Sequence, residues 1–205
     1  MAPLDKEMCN LRFISDPRMD PAENMKKDLE IAQDVCAGQA PVTLRLYGWD
    51  RPALSLGRRQ KLEQLPADQI GSGRVIVERP TGGGAVLHDA DEFTYALALP
   101  RTAFQNRMKP SDIPAWIHQS LKEQLQKQVS LPDLQCAPAR PASSEFCFQS
   151  PVLGDLLIGN RKVAGSAMRV WRGGLLIQGS IQGLPVAREV LRESLNAVIE
   201  RFLIL

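Results

Sequence analysis

Hydrophobic and polar positions along the chain alternate between helical and strand periodicities, without a regular strand–helix–strand repeat. Apolar residues three or four positions apart predict three helices, over 20–38, from about 111 or 112 to 129, and from 185 onward. The first of these opens with Asp20-Pro21-Ala22-Glu23, which supplies an N-cap, a proline at the first helical position and a capping-box glutamate. Gly38 ends the same helix.

The strands are predicted from period-two alternation and from short β-branched runs bounded by glycine or proline. They cover 42–47, 74–78, 93–99 and a three-stranded meander of 155–158, 161–171 and 175–181. Alternation in the first of them predicts a half-buried strand, and the proline-rich stretch 131–141 is predicted to be a loop. The pattern therefore predicts an α+β fold over 1–205, a single domain with a mixed, largely antiparallel sheet flanked by helices.

Composition and charge exclude several classes of protein. The 205 residues include 25 Lys plus Arg and 23 Asp plus Glu, so the net charge of +2 is not the footprint of a nucleic-acid binder. No apolar run reaches the roughly 18–20 residues of a membrane span, and Asp5-Lys6-Glu7 is unlike a signal peptide. We therefore expect a cytoplasmic protein that does not enter a membrane.

The cysteines and histidines do not form a metal-binding pattern, because no Cys-x-x-Cys pair occurs. In a reducing cytosol the thiols are expected to be free, and Cys36 is placed on the buried face of the first helix. The cysteines of the chain are Cys9, Cys36, Cys136 and Cys147, and its histidines are His88 and His118. We expect no metal site.

A glycine-rich segment, Arg79-Pro80-Thr81-Gly82-Gly83-Gly84, follows the predicted strand 74–78. Three consecutive glycines let the backbone approach a ligand closely and expose N–H groups that can bind an anion or a carbonyl. Arg79 would add a charged donor. The segment is neither a P-loop nor a dinucleotide fingerprint, and by spacing alone a flexible turn fits as well as a ligand loop.

Lys162 stands just after the turn Gly159-Asn160, at the start of a strand of small residues that includes Gly165 and Ser166. Small side chains leave room for a ligand, although an ordinary solvated lysine beside a hairpin turn is the simpler interpretation. Cys147 lies fifteen residues upstream, between two aromatic residues in a polar loop. If that loop folds over the meander, the lysine ammonium would favour the thiolate, which is the nucleophilic form of cysteine.

The histidines are weaker candidates for this chemistry. His88 and Asp89 could suggest a triad with Cys147, but neighbours on an extended strand point to opposite faces. His118 falls within the second helix and is expected to be a surface or packing residue.

Taken in order, these segments resemble the lipoate–protein ligase and octanoyltransferase family, whose superfamily includes the biotin–protein ligases. The resemblance runs from Arg45 to Ile181. Residues 44–49 and 52–60 look like the family's first strands, 79–89 is similar to its glycine-rich acyl-binding segment, and 159–167 is similar to its lysine segment.

The resemblance implies the family's catalytic fold and a cysteine-dependent transfer of an octanoyl or lipoyl group, without a cofactor. The donor would be the thioester of an acyl carrier protein. The acceptor would be a lysine of a lipoyl-carrier domain, of the glycine cleavage H protein or 2-oxoacid dehydrogenase E2 type. Cys147 and Lys162 would be catalytic, and the implied substrate-binding residues are Arg79, Gly82, Gly83, Gly84, His88, Gly165 and Ser166.

Two other functions stay open at this stage. An ATP-dependent lipoate–protein ligase would use ATP and Mg²⁺ and form an acyl-adenylate. It would work with a separate accessory chain, because an accessory domain is expected to be absent here, where the sequence stops soon after the last helix. A non-catalytic module would bind acyl groups or dock carriers.

Two positions also depart from the family pattern, since Gln178 replaces the usual histidine and Glu78 replaces the usual arginine.

Overall fold

The computed structural model describes residues 10–138 and 145–205, in which the strands form two sheets. The strands are β1 Leu11–Met19, β2 Val42–Trp49, β3 Ala53–Leu56, β4 Val75–Glu78, β5 Val86–His88, β6 Phe93–Pro100, β7 Leu134–Cys136, β8 Leu156–Ile158, β9 Arg161–Val170 and β10 Gly174–Ile181. The larger sheet has the order β1-β2-β6-β10-β9-β8-β7, and the smaller sheet has the order β4-β3-β5.

The α-helices of the described residues are α1 Pro21–Cys36, α2 Ala67–Ile70, α3 Ile113–Gln128 and α4 Arg188–Ile204. Three of them confirm the helices that the periodicity predicts, and α2 is a single turn. Asp20 caps α1 as expected, since its Oδ1 accepts from the backbone N–H groups of Ala22 at 2.9 Å and Glu23 at 3.4 Å. Within 10–138 and 145–205, no helix is both long and apolar enough to cross a membrane.

The fold class is confirmed by the strand pairing. In the larger sheet only β1 and β2 run parallel; in the smaller one β3 is parallel to β4 and antiparallel to β5. Helices α3 and α4 pack on one face of the larger sheet, around residues such as Leu97, Ile117 and Leu195. Helix α1 covers the other face, where Trp49 and Ala96 are buried.

Two predictions of strands and loops were wrong in part, and some strands were not predicted from the pattern. All eight residues of β2 are buried, because α1 covers the face that carries the polar positions, so the strand is not half-buried. Strand β7 lies inside the stretch predicted as a loop and pairs with β8; residues 139–141 of that stretch lie outside the described residues. The pattern also missed β1, which pairs with β2 at the edge of the larger sheet, and the three-residue β5. It missed β3 as well, although the resemblance compares 52–60 with the family's first strands.

Arg45 of β2 is buried and binds carboxylates of both α1 and β1. Its Nη1 donates to Asp28 Oδ1 at 2.6 Å and its Nε donates to Asp16 Oδ2 at 2.6 Å. Its Nη2 donates to Asn24 Oδ1 at 2.7 Å, and the Tyr47 hydroxyl donates to Asp28 Oδ2 at 2.8 Å. This Arg45 network satisfies the polar face of β2 and fixes α1 against the sheet.

Replacing Arg45 by alanine is expected to lower the free energy of unfolding by about 3–5 kcal/mol, because it leaves buried carboxylates without their counter-charge. Urea denaturation followed by circular dichroism measures the loss. Arg51→Ala is the control. Within 10–138 and 145–205, Asp50 alone forms an ion pair with Arg51, in an exposed contact, so this variant should leave the midpoint unchanged. Equal midpoints for the two variants would contradict this account of the Arg45 network.

Candidate active site

Cys147 is held in place by a short pairing with the end of the glycine-rich loop. Ala85 N–H donates to Glu145 O at 2.8 Å, and Cys147 N–H donates to Ala85 O at 2.9 Å. The intervening Phe146 is buried against apolar residues of the smaller sheet, among them Leu54. Cys147 therefore begins the 3-10 turn Cys147–Gln149 at a fixed position. The upstream part of its predicted polar loop, including Ser143 and Ser144, lies outside the described residues.

A β-bulge directs Lys162 toward this cysteine. On β9, Ala164 lies opposite Leu156 whereas Lys162 lies opposite Leu157, so Val163 is the additional residue. Val163 and Ala164 both pack into the core beneath α3 and α4. The side chain of Lys162 instead crosses the backbone at Gly165, where any Cβ would overlap Lys162 Cε and Nζ. Bulges commonly redirect a side chain next to a functional site.

The ammonium of Lys162 is surrounded by three acceptors. Its Nζ donates to Asp155 Oδ2 at 2.6 Å, to Cys147 O at 3.0 Å and to Cys147 Sγ at 3.2 Å. An ammonium has three donors, so the shell is complete. The Lys162 side chain is 0% exposed and the Asp155 side chain 3%. Lys162 is therefore not a solvated lysine; it is a buried cation placed against the thiol.

Sequence reasoning did not identify Asp155, which it treated only as the first residue of the meander. Asp155 Oδ2 accepts from Val152 N–H at 2.8 Å as well as from Lys162. A buried lysine requires a counter-charge, and this requirement was the only signal that could have indicated Asp155. By itself it does not show which of the 23 acidic residues of the chain pairs with the lysine.

Arg79 shapes the glycine-rich loop from beneath. Its guanidinium donates to Ser55 O at 3.0 Å, to Gly82 O at 2.6 Å and to Gly84 O at 2.7 Å. Burial lowers the pKa of Arg79 to about 10, so the group stays protonated at neutral pH. Within the described residues, no partner takes the N–H groups of Gly82–Gly84. These N–H groups remain able to bind an anion or a carbonyl oxygen.

His88 belongs to a hydrogen-bonded wall of the site. Its Nε2 is hydrogen-bonded to Ser55 Oγ at 2.7 Å, its Nδ1 to Glu92 Oε2 at 2.8 Å, and its ring stacks on Trp49 at 3.9 Å. Both ring nitrogens are engaged, so His88 does not form a triad with Cys147. His118 is a buried packing residue, and burial lowers the pKa of its imidazole.

Most of the predicted site residues line one narrow cavity of about 30 Å³. Its wall includes Cys147, Arg79, His88, Gly165 and Ser166. The three glycines of the loop border a separate, wider groove next to it. Aromatic and aliphatic side chains complete the cavity, whose wall also includes the buried residues Met25, Tyr47, Trp49 and Gln178.

Gln178, at the position where the resemblance implies a histidine, joins the cavity to the Arg45 network. Its Oε1 accepts from Thr81 Oγ1 at 2.8 Å, and its Nε2 donates to Asp28 Oδ2 at 2.7 Å. Thr81 directly precedes the three glycines. The amide therefore ties the glycine-rich loop to α1, a contact that sequence reasoning did not foresee.

The other described cysteines differ from Cys147 in their surroundings. Burial raises the pKa of both Cys36 and Cys136, which makes their thiolates scarce at neutral pH. Cys36 is half-buried rather than within the core, and Cys9 lies outside the described residues. Within 10–138 and 145–205, no group of three or more His, Cys, Asp or Glu side chains could hold a metal ion.

Comparison with known proteins identifies the family of the chain. Residues 20–185 match the family model described as "Lipoyl protein ligase A/B catalytic domain". The chain belongs to this family. The matched span contains the glycine-rich loop, Cys147 and Lys162, so the whole candidate site lies within the family's catalytic domain.

Relatives with curated names include octanoyltransferases. The chain is 33% identical over 179 residues to the octanoyltransferase LipM of Anoxybacillus flavithermus, covering 83% of this chain and 64% of the relative. It is 33% identical over 204 residues to the octanoyltransferase LipM of Halalkalibacterium halodurans, covering 93% of this chain and 71% of the relative. The chain thus spans 64% of the length of the first of these family members.

Solved structures share the fold. The protein Ta0514 from T. acidophilum superposes with a TM-score of 0.75 at 18% identity, covering 94% of this chain and 85% of that one. A lipoate-protein ligase A bound with ATP superposes with a TM-score of 0.69 at 15% identity, covering 95% and 85%. At these identities the likeness establishes the fold alone.

Gly84→Ala is expected to displace Cys147, because a Cβ at Gly84 would lie 2.5 Å from Glu145 O and 3.2 Å from Cys147 N. Labelling of Cys147 by iodoacetamide, followed by peptide mass spectrometry, should show an altered rate in this variant. Gly82→Ala is the matched control, since a Cβ there meets no atom within 4 Å. Equal labelling rates in the wild type and both variants would show that the pairing does not position the thiol.

Proposed function

We propose that the protein transfers an octanoyl or lipoyl group from a carrier-protein thioester to a lysine of a lipoyl-carrier domain, through a thioester on Cys147. The observation that carries the proposal is the 3.2 Å contact between Lys162 Nζ and Cys147 Sγ at the wall of the cavity. A cation beside a thiol favours the thiolate, which is the attacking form. The relatives named octanoyltransferase support the same chemistry.

In the first half-reaction the Cys147 thiolate attacks the carbonyl carbon of the donor thioester. A new C–S bond forms, the donor's C–S bond breaks, and the carrier thiolate leaves and takes a proton from solvent. The negative charge that develops on the carbonyl oxygen would be stabilised by Lys162 and by the N–H groups of Gly82–Gly84. Exchange between two thioesters is nearly balanced in energy, so the acyl-enzyme can form without ATP.

In the second half-reaction a neutral lysine amine of the acceptor attacks the Cys147 thioester. The C–N bond forms, the C–S bond to Cys147 breaks, and the amine's proton passes to solvent. Lys162 acts through its charge, because Asp155 and the two Cys147 atoms occupy all three of its donors. The same cation therefore stabilises the thiolate at the start and at the end of the cycle.

The acyl chain would occupy the cavity behind the thiol. In this structure the cavity has room for about two water molecules, so side chains that line it must move to admit eight carbons. Met25 is suited to that movement, because its unbranched side chain adopts many conformations. Burial of the chain would contribute about 0.8 kcal/mol per CH₂.

The partners follow from the same proposal. A bi-partite lipoate protein ligase from Thermoplasma acidophilum, reported together with its E2 lipoyl domain, has this fold with a TM-score of 0.62. That pairing supports a lipoyl domain as the acceptor here. An acyl carrier protein as the donor, the absence of a cofactor and a cytoplasmic location stay predictions. The ATP-dependent ligase is the competing function.

Incubation with octanoyl-carrier protein in the absence of ATP should add the mass of one octanoyl group to the intact protein. Cys147→Ser should abolish the gain, whereas Cys136→Ser, which removes a thiol outside the cavity, should retain it. Mass spectrometry of the intact chain measures both outcomes. A mass gain that requires ATP and free octanoate, and that persists in Cys147→Ser, would contradict the proposal and favour the ligase.

Removing the charge of Lys162 is expected to slow acylation of Cys147 by roughly 10²- to 10³-fold, the usual effect of losing one electrostatic stabiliser. The variant Lys162→Met/Asp155→Asn removes the cation together with its counter-charge, so that no unpaired charge stays buried. Single-turnover acylation measures the rate, and urea denaturation verifies that the variant folds. Acylation of the folded variant at the wild-type rate would show that the lysine has no part in the reaction.

A further inference from the structure

An open groove of about 1080 Å³ lies beside the cysteine site. Its walls are formed by the loop Gly82–Gly84 with Glu145, by Met168–Trp171 of the β9 end, and by Arg58 and Arg59. Arg58 is tied to the loop, since its N–H donates to Thr81 O at 2.9 Å. This arginine groove has no part in the acyl cavity described above.

The arginine groove carries an excess of positive charge. Arg58 and Arg59 are exposed, and no carboxylate within 10–138 or 145–205 forms an ion pair with either. The guanidinium of Arg169 lies 4.5 Å from the ring centroid of Trp171. Glu145 is the one acidic residue of the described lining, and its side chain accepts from Gln60 Nε2 at 3.3 Å. Glu78 borders the cleft next to Arg58 and Arg169.

The groove and the thiol share a wall. The position of a Cβ on Gly84 lies 3.2 Å from Cys147 N, and that of a Cβ on Gly83 lies 3.6 Å from Ala167 Cβ, which lines the cavity. A thioester whose carbonyl reaches Cys147 with its acyl chain in the cavity therefore has its other substituent outside the cavity. Among the described residues, the adjoining groove offers open space for that substituent.

We propose that the arginine groove binds the phosphodiester-bearing arm of the donor thioester, with the phosphate held by Arg58, Arg59 and Arg169. This inference rests on the proposed function. A phosphopantetheine arm joins its thioester to a carrier through amides and one phosphodiester, so it is anionic at the end remote from the sulfur. Guanidinium groups match phosphate oxygens in charge and in hydrogen-bond geometry. The aromatic face of Trp171 offers a surface for the uncharged stem.

The test compares two carrier-free donors, octanoyl-phosphopantetheine and octanoyl-pantetheine, which differ only in the phosphate. Acylation of Cys147 is followed by intact mass in the wild type and in Arg58→Ala/Arg59→Ala. We expect the variant to raise the KM for the phosphorylated donor by roughly 10- to 100-fold, because it loses charge-assisted hydrogen bonds to the phosphate. The KM for the other donor should stay unchanged. Arg51→Ala/Arg192→Ala removes the same net charge elsewhere and should change neither KM.

Three results would overturn the inference. An equal rise in the KM for both donors would mean that the arginines only maintain the loop. An equal rise in the KM of the control variant would mean that net charge alone matters. A rise in the KM for octanoyl-carrier protein but not for octanoyl-phosphopantetheine would mean that the arginines bind acidic side chains of the carrier. Failure of the proposed function is distinguishable, because the wild type would then be acylated by neither donor.

Discussion

The burial of one ammonium group constrains the whole candidate site. Lys162 lies away from water and needs three acceptors and a negative charge; it obtains them from Asp155 and from two atoms of Cys147. The first belongs to the segment that leads into β8 and the second to the loop that pairs with Ala85. Any arrangement that satisfies the lysine therefore also places the thiol. Stability and the proposed chemistry depend on the same contacts.

Three local features make that arrangement possible. The bulge at Val163 turns Lys162 toward the cavity, Gly165 leaves space for its side chain, and Phe146 anchors the residue before Cys147 in the core. Arg79 supplies a second cation beneath the glycine-rich loop, with backbone carbonyls among its acceptors. The thiol thus contacts the buried ammonium of Lys162, whose counter-charge is the buried carboxylate of Asp155, and it lines the same cavity as Arg79.

Periodicity predicted the helices and most strands, because patterns such as the apolar stripe of α3 and the alternation in β6 are each typical of one kind of element. It predicted the strand β2 but took it to be half-buried, whereas its polar face is buried in the Arg45 network; it missed β7, whose pairing with β8 depends on residues distant in sequence. For the site, motif order indicated Cys147 and Lys162. The role of Asp155 and the contacts of Gln178 were missed, since their partners are set by packing and not by local pattern.

The central claim is that Cys147 carries the acyl group on the path to the acceptor. Its most direct test isolates the octanoyl–enzyme, adds a lipoyl domain without ATP, and follows both proteins by intact mass in a single turnover. The account predicts that the octanoyl mass leaves the enzyme and appears on the lipoyl-domain lysine at the same rate. An acyl-enzyme that persists or hydrolyses while the lipoyl domain stays unmodified would contradict it.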